Sequence, residues 1–372
     1  MIKNIIIGAG PAGLAIAGRL ANAGEAFEII EKTNQIASKW HAHYDRLALH
    51  TVKDLSHLPH LPFPADYPVY VPKDKLVAYY ENYAAHFKIK PRFGVGLEKI
   101  YKIKNGWQLT LDNGEILEAE NVIVCTGLNK TPKLVNWEGQ ENFKGDISHA
   151  SLYKNAEPFL GKKTIVVGMG NTGAEIALDL ALAGVSVSIS VRSPIIVVPR
   201  DLFGSPVQLT AKKLEKLPFG LGDWIGAQTR KLVFGNLAKY NVPVSHEYPA
   251  KMLRETGKSP TIDLGTINQI KKGNIKVLGD IKALHAGGAY LVNGDFVEAE
   301  KIILATGYTS DLQKQIDLPT SAWDKFGLPT PATAYGEHKG LYFLGYDNYK
   351  LGGLLGTIFT DSALIFNKIK PH

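Results

Sequence analysis

The sequence has little cysteine. Cys125 stands alone among 372 residues, so no internal disulfide can form, and a redox-active cysteine pair or a thiolate zinc site is excluded. Long apolar runs are also missing: none approaches the ~20 residues that cross a bilayer. The opening MIKNIIIGAG runs from a brief apolar stretch into glycines rather than into a cleavage site, so a soluble, cytoplasmic protein without membrane association is expected. The net charge is +7, yet there is no dense Lys/Arg block and no nucleic-acid-binding motif, so nucleic acid is not an expected partner. A basic surface of this kind suits small anions and phosphate-bearing cofactors better. His41, His43, His57 and His60 lie near Asp45 and Asp54, but interleaved prolines and irregular spacing suit a polar loop, and no metal is expected.

What is present is a repeat. IKNIIIG, GAGPAG (Gly8, Gly10, Pro11, Ala12, Gly13), an alanine-rich amphipathic stretch and AFEIIE read as strand, glycine loop, helix and strand, with Glu31 lying 23 residues after Gly8. This is a βαβ unit carrying GxGxxG at its first turn. Gly8 makes the tight turn, Gly10 admits a pyrophosphate and Gly13 lets helix and strand pack closely. The pattern recurs 160 residues later as TIVVG, GMGNTG (Gly168, Gly170, Asn171, Thr172, Gly173), a helix and VSVSISV, which ends at Arg192 and Ser193. The cassettes also end alike. NGEILEAENVIVCTG aligns with NGDFVEAEKIILATG at a constant offset of 180. Each half predicts an Asn-Gly hairpin and a strand returning to the parallel sheet. Each then ends in a Thr-Gly turn against a nucleotide, at Thr126-Gly127 and at Thr306-Gly307-Tyr308.

The strand ends separate the two nucleotides. Glu31 accepts hydrogen bonds from a free ribose diol and repels a 2′-phosphate, whereas the planar fork of Arg192 suits that phosphate. FAD is therefore expected in the first cassette, beside Glu31, Lys32 and Trp40, and NADPH in the second; together they give hydride transfer to a flavin. The tail GLYFLGYDNYKLGGLLGTIFTDSALIF, with Leu355, returns to close the first domain. The expected fold class is α/β, with two three-layer Rossmann-like dinucleotide-binding domains and the NADP domain inserted into a discontinuous FAD domain. The expected boundaries are 1–155 with 305–372 for FAD, and 156–304 for NADP.

Between the cassettes lies FKGDISHASLYK, residues 143–154, expected on the hinge. Its simplest reading is a turn and then a helical face with His149 and Tyr153 at i and i+4. In this context it resembles the FxGxxxHxxx(Y/F) motif of flavin-containing monooxygenases. IASKWHAHYDRLALH, LPFPADYPVY, VVGMGNTGAEIALDLA, VRSP and LATGY are similar to the YUCCA-type branch of that family. The resemblance implies oxygen capture at the flavin C4a as a (hydro)peroxide. It implies a small substrate such as an aromatic 2-oxo acid of the indole-3-pyruvate kind, or an amine or sulfide. It also implies that Phe143, Gly145, His149 and Tyr153 support the nicotinamide cofactor. Catalytic roles fall to His50, as a donor near the flavin, and to Asn171, orienting nicotinamide or ribose. The GYDNYKLGGLLGT tail departs from the usual ending of the family. An FAD-dependent NADPH:acceptor oxidoreductase without oxygen insertion is the alternative. Either enzyme could assemble as an oligomer.

Overall fold

The structure, a computed structural model, describes residues 1–214, 221–245, 247–256, 259–330, 338–347 and 353–370. The stretch 348–352 of the expected glycine-rich tail loop lies outside the described residues. Two compact units are present: 1–42 with 47–131 and 308–372, and 43–46 with 132–307. Apart from the short excursion 43–46, the chain passes from the first unit to the second at 131/132, where a boundary at 155/156 was expected. Residues 132–155 belong with the second unit because Asp146–His149 is an in-register strand of its sheet.

The first unit is built on the apolar run Ile2–Ile7. This strand pairs in parallel with Glu28–Glu31 on one edge and with Ile116–Val124 on the other. Arg92–Phe93 extends the sheet beyond Glu28–Glu31. The far edge of Ile116–Val124 is shared. Its first half takes the antiparallel partner Gly106–Leu111, and its second half takes Leu341–Phe343 in parallel. Alternation along the strands sorts side chains to two faces. Ile6, Ile29, Ile123 and Tyr342 meet the helices Pro11–Asn22, Lys73–His86 and Leu354–Ile369, whereas Ile5, Ile7, Val122 and Val124 meet Trp107, Leu109, Leu312 and Ile316. One face of the sheet thus lies under helices, and the other packs on side chains of its own antiparallel strand and on Leu312 and Ile316. Leu76, Tyr80 and Tyr83 on the middle helix are fully buried, which makes that face core.

The second unit repeats the plan. Ile275–Leu278, Ser186–Ser190, Lys163–Val167, Lys301–Leu304 and Asp146–His149 form an all-parallel sheet in that order. The two Asn-Gly turns take the expected form: Gly114 and Gly294 have φ of 84° and 93°. Asn113 and Asn293 each accept through Oδ1 from the backbone N–H two residues on, at 3.1 and 3.2 Å. Among the described residues no helix is long and apolar enough to cross a membrane.

Candidate functional site

The first glycine loop is shaped by what its residues must avoid. Gly8 has φ +105°, and a Cβ there would lie 2.7 Å from the Cys125 carbonyl oxygen; a Cβ on Gly13 would lie 1.8 Å from the Gly8 carbonyl oxygen. Gly10 is different, since a Cβ there would meet no atom within 4 Å. It also caps the helix Pro11–Asn22 without any side-chain hydrogen bond, so the first-turn N–H groups have no intrahelical partner and favour an anion. A dinucleotide pyrophosphate fits that arrangement. Pro11 occupies the first helical position, where it removes one N–H that has no acceptor, and Ala12 is buried behind it.

Glu31 ends the second strand, 9% exposed. It accepts from the Ala9 N–H at 2.8 Å and from the Thr33 N–H and hydroxyl at 2.9 and 2.7 Å. These bonds fix the carboxylate at the strand end while leaving lone pairs for a ribose diol. Lys32 beside it is exposed and Trp40 is half-buried on the short helix Ser38–Ala42. The indole packs against the first core, with its ring centroid 6.1 Å from that of Tyr80. His50 is half-buried. Its neighbour Thr51 fills the space where Gly353 would carry a Cβ, 2.6 Å from the Thr51 methyl. The His50 segment therefore stands at the N-terminus of the last helix, beside buried Leu355. Thr126 and Gly127 follow the strand Ile116–Val124, and Cys125 N–H donates to the Ile7 carbonyl at 2.8 Å.

The second loop reproduces this geometry. Gly168 has φ +103° and would place a Cβ 2.7 Å from the Ala305 carbonyl oxygen; Gly173 would place one 1.9 Å from the Gly168 carbonyl; Gly170 again meets nothing. Ala305 N–H donates to Val167 at 2.9 Å, matching Cys125 and Ile7. Thr172 is half-buried in the first helical turn, Arg192 is exposed two residues beyond the strand Ser186–Ser190, and Ser193 is half-buried. Thr306 and Gly307 lie in this unit, whereas Tyr308 falls in the first. The Asn171 side chain is committed to backbone: Oδ1 accepts from Ile262 N–H at 2.7 Å and Nδ2 donates to the Pro260 carbonyl at 3.3 Å. Thr261 and Thr266 add hydroxyl bonds to the Met169 and Ala174 carbonyls at 2.7 and 2.8 Å. The segment 260–266 thus braces the second loop.

The four motif residues do not share a helical face. Phe143 packs on the core of Ile165, Ile281 and Leu284. Gly145 is glycine because a Cβ would lie 2.3 Å from the Glu300 carbonyl oxygen. His149 ends the edge strand opposite Leu304. Its Nε2 donates to the Gly307 carbonyl at 3.1 Å and its Nδ1 accepts from Ser151 N–H at 3.1 Å, which sets a neutral Nε2–H tautomer. Burial pushes its pKa below the ordinary value, against the raising effect of the Gly307 bond. Lys133 N–H shares that carbonyl at 2.9 Å, and Thr306 donates to the Lys133 carbonyl. His149 therefore pins the second Thr-Gly turn.

Tyr153 belongs to a cluster that no sequence pattern announced. Its hydroxyl donates to Asp179 Oδ2 at 2.7 Å, and Tyr44 donates to Glu175 Oε2 at 2.6 Å. Arg46 reaches Asp179 Oδ1 at 3.3 Å. Glu175 and Asp179 are one turn apart on the helix Asn171–Leu182. Burial first, and then the carboxylates, raise both phenols well above the ordinary tyrosine range. Among the described residues no three His, Cys, Asp or Glu side chains gather as metal ligands.

Two sheets, the second all-parallel and the first parallel around its glycine loop, each with a GxGxxG loop and a closing Thr-Gly turn, define a flavoprotein oxidoreductase of the double dinucleotide-fold class. Residues 5–201 match the family model described as pyridine nucleotide-disulphide oxidoreductase; with one cysteine in the chain, no internal disulfide chemistry follows from that name. The chain is 38% identical over 95% of its length to an indole-3-pyruvate monooxygenase, YUCCA1, of Oryza sativa subsp. japonica, covering 88% of that protein. It is 38% identical over 98% of its length to the probable indole-3-pyruvate monooxygenase YUCCA1 of Arabidopsis thaliana, covering 89% of it. Among solved structures it is similar to a flavin-containing monooxygenase from Stenotrophomonas maltophilia, with a TM-score of 0.71, 16% identity and coverage of 99% and 98% of the two chains. The chain belongs to the YUCCA-type flavin-containing monooxygenases, enzymes that use FAD, NADPH and O2.

Proposed function

We propose that the protein oxidatively decarboxylates an aromatic 2-oxo acid such as indole-3-pyruvate. The 2-oxo acid, O2, NADPH and a proton become the shortened acid, CO2, NADP+ and water. The observation that carries this reading is the 38% identity, over nearly the full chain, to a relative named for that substrate. The net charge of +7 supports an anionic substrate through long-range attraction.

The first unit is the FAD-binding domain and the second the NADP-binding domain in this reading. When bound, NADPH supplies hydride and FAD accepts it and activates O2. Glu31 holds the FAD ribose, supported by a carboxylate already fixed at the strand end. The first-turn amides after Gly10 hold the pyrophosphate, as those after Gly170 do for NADPH. Arg192 takes the 2′-phosphate, supported by its exposed position past the second strand. His149 holds the Gly307 turn against the nucleotide. Trp40 walls the flavin side and His50 donates near the reacting centre. Asn171 acts by holding the second loop rather than by touching substrate. The enzyme works in the cytoplasm.

The test supplies indole-3-pyruvate, a soft amine and a sulfide with NADPH and 18O2, following NADPH, H2O2 and products together. One labelled oxygen in the shortened acid, with CO2 released, is the expected outcome. Label confined to an N-oxide or sulfoxide would overturn the substrate, and unlabelled products with electrons passed to a quinone would overturn the oxygenation.

A further inference from the structure

The two units hold their Thr-Gly turns by corresponding means. In each, the strand leading to that turn is flanked by a parallel strand on the side away from the glycine loop. Leu341–Phe343 lies beside Val122–Val124, and Asp146–His149 lies beside Lys301–Leu304. In the second unit this flanking strand supplies His149, which reaches three residues past its register partner Leu304 to grip Gly307. In the first unit Phe343 is the register partner of Val124, and three residues past Phe343 comes Tyr346.

Tyr346 is 1% exposed. Its hydroxyl accepts from Thr126 N–H at 3.1 Å and exchanges a second hydrogen bond with Thr126 Oγ1 at 2.7 Å. One phenol thus fixes both the backbone and the side chain of the turn residue. The turn into Tyr346 is also tied to the glycine loop. Gly345 has φ +87°, and a Cβ there would lie 3.1 Å from the Ala12 Cβ, in the first turn of the loop helix. The same dipeptide therefore touches the pyrophosphate end of the helix and the turn that closes the cassette.

We infer that Tyr346 is the positioning residue of the FAD cassette, the counterpart of His149 in the NADP cassette. It acts through Thr126 by holding the closing turn in the shape the dinucleotide meets, and it rests on the assignment of FAD to the first unit. The bound state needs the turn in one shape, whereas without the hydroxyl the apo turn can relax away from it, so removal adds an ordering cost to binding and is read in FAD affinity.

Apo-protein is titrated with FAD by quenching of flavin fluorescence, using wild type, Tyr346→Phe, Thr126→Val and the double variant, with thermal denaturation of each apo-protein alongside. Tyr346→Phe is expected to raise the FAD Kd about three- to tenfold, the size of one or two neutral hydrogen bonds. Thr126→Val should do the same, and the double variant should lose no more than the worse single, because the two act as one unit. Wild-type FAD affinity in both singles, or fully additive losses in the double, would overturn the inference. So would losses that merely track a lowered apo-protein melting temperature. Failure of the wild type to take up FAD would instead strike the assignment of the first unit. If Tyr346→Phe does not fold, Thr126→Val alone decides.

Discussion

Removing one oxygen from Tyr44 should loosen the helix Asn171–Leu182. The hydroxyl donates to Glu175 at 2.6 Å, and Tyr44 and Glu175 are each 3% exposed. Tyr44→Phe keeps the ring, and with it the edge contact to Tyr153 at 6.3 Å between centroids, so the loss is confined to the hydrogen bond. A bond to a charged partner contributes about 1.5–3 kcal/mol. Local opening of the helix should therefore become about 10- to 150-fold more frequent, since 1.4 kcal/mol is about tenfold in an equilibrium constant. Amide hydrogen exchange, followed by mass spectrometry over peptides from 171–182, reads this directly. Glu175→Gln keeps an acceptor for the phenol and should lose less. Tyr153→Phe should also lose less, because Asp179 keeps Arg46. Exchange within about threefold of wild type in Tyr44→Phe would refute the reasoning and leave Tyr44 as packing alone.

Three further outcomes are expected. Arg192→Ala should raise the NADPH KM by about one to two decades, for a charge-assisted contact of roughly 1.5–3 kcal/mol, and leave NADH kinetics nearly unchanged; equal losses for both would show that the arginine acts elsewhere. Gly10→Ala should fold yet lose FAD, because the added methyl meets no protein atom, whereas Gly13→Ala should fail to fold, because it meets the Gly8 carbonyl at 1.8 Å; circular dichroism and flavin absorbance separate the two. His149 has a depressed pKa, so the unfolded chain binds the proton more readily. Its contribution is full above the ordinary histidine value of about 6.5 and is lost as pH falls through the lower folded value. NADPH-dependent flavin reduction and stability should decline together in that acid window, and a His149→Gln profile that falls identically would remove His149 as the cause.

The parts that could be read from the sequence are those where backbone geometry dictates residue type. Gly8, Gly13, Gly168 and Gly173 are forced by positive φ or by carbonyls that leave no room for a Cβ, so the glycine pattern is itself a record of the fold. Glu31 and Arg192 are readable for a related reason: the βαβ pattern fixes which side chains stand at and just past the end of the second strand. Contacts between chain-distant residues leave no such trace. Tyr346 is 220 residues from Thr126, and Tyr44 is 131 from Glu175. Nothing in the local pattern of either tyrosine marks its partner. Asn171 shows both sides: its place at the head of a helix after a glycine loop is legible, whereas its bonds to Pro260 and Ile262, 89 and 91 residues away, are not.

The spacing of the motif FKGDISHASLYK follows from the length of one strand rather than from a helical period. Gly145 must be glycine where the chain crosses the Glu300 backbone, just before Lys301. The parallel partner then runs four residues, Lys301 to Leu304, so the flanking chain needs four residues to reach its end. That is ~13 Å at about 3.3 Å per residue. The residue there is His149, and only there can an imidazole meet the carbonyl that the Thr-Gly turn presents beyond Leu304. One further turn, Ala150–Leu152, brings Tyr153 to the carboxylates of the glycine-loop helix. A glycine, a histidine and a tyrosine at intervals of four thus touch the start of the last parallel strand, the turn that ends it, and the helix that begins the cassette. The three contacts fix the second nucleotide fold at its entrance, its close and its glycine-loop helix, and each depends on a different property of the residue: absent bulk, a neutral N–H donor and a buried phenol.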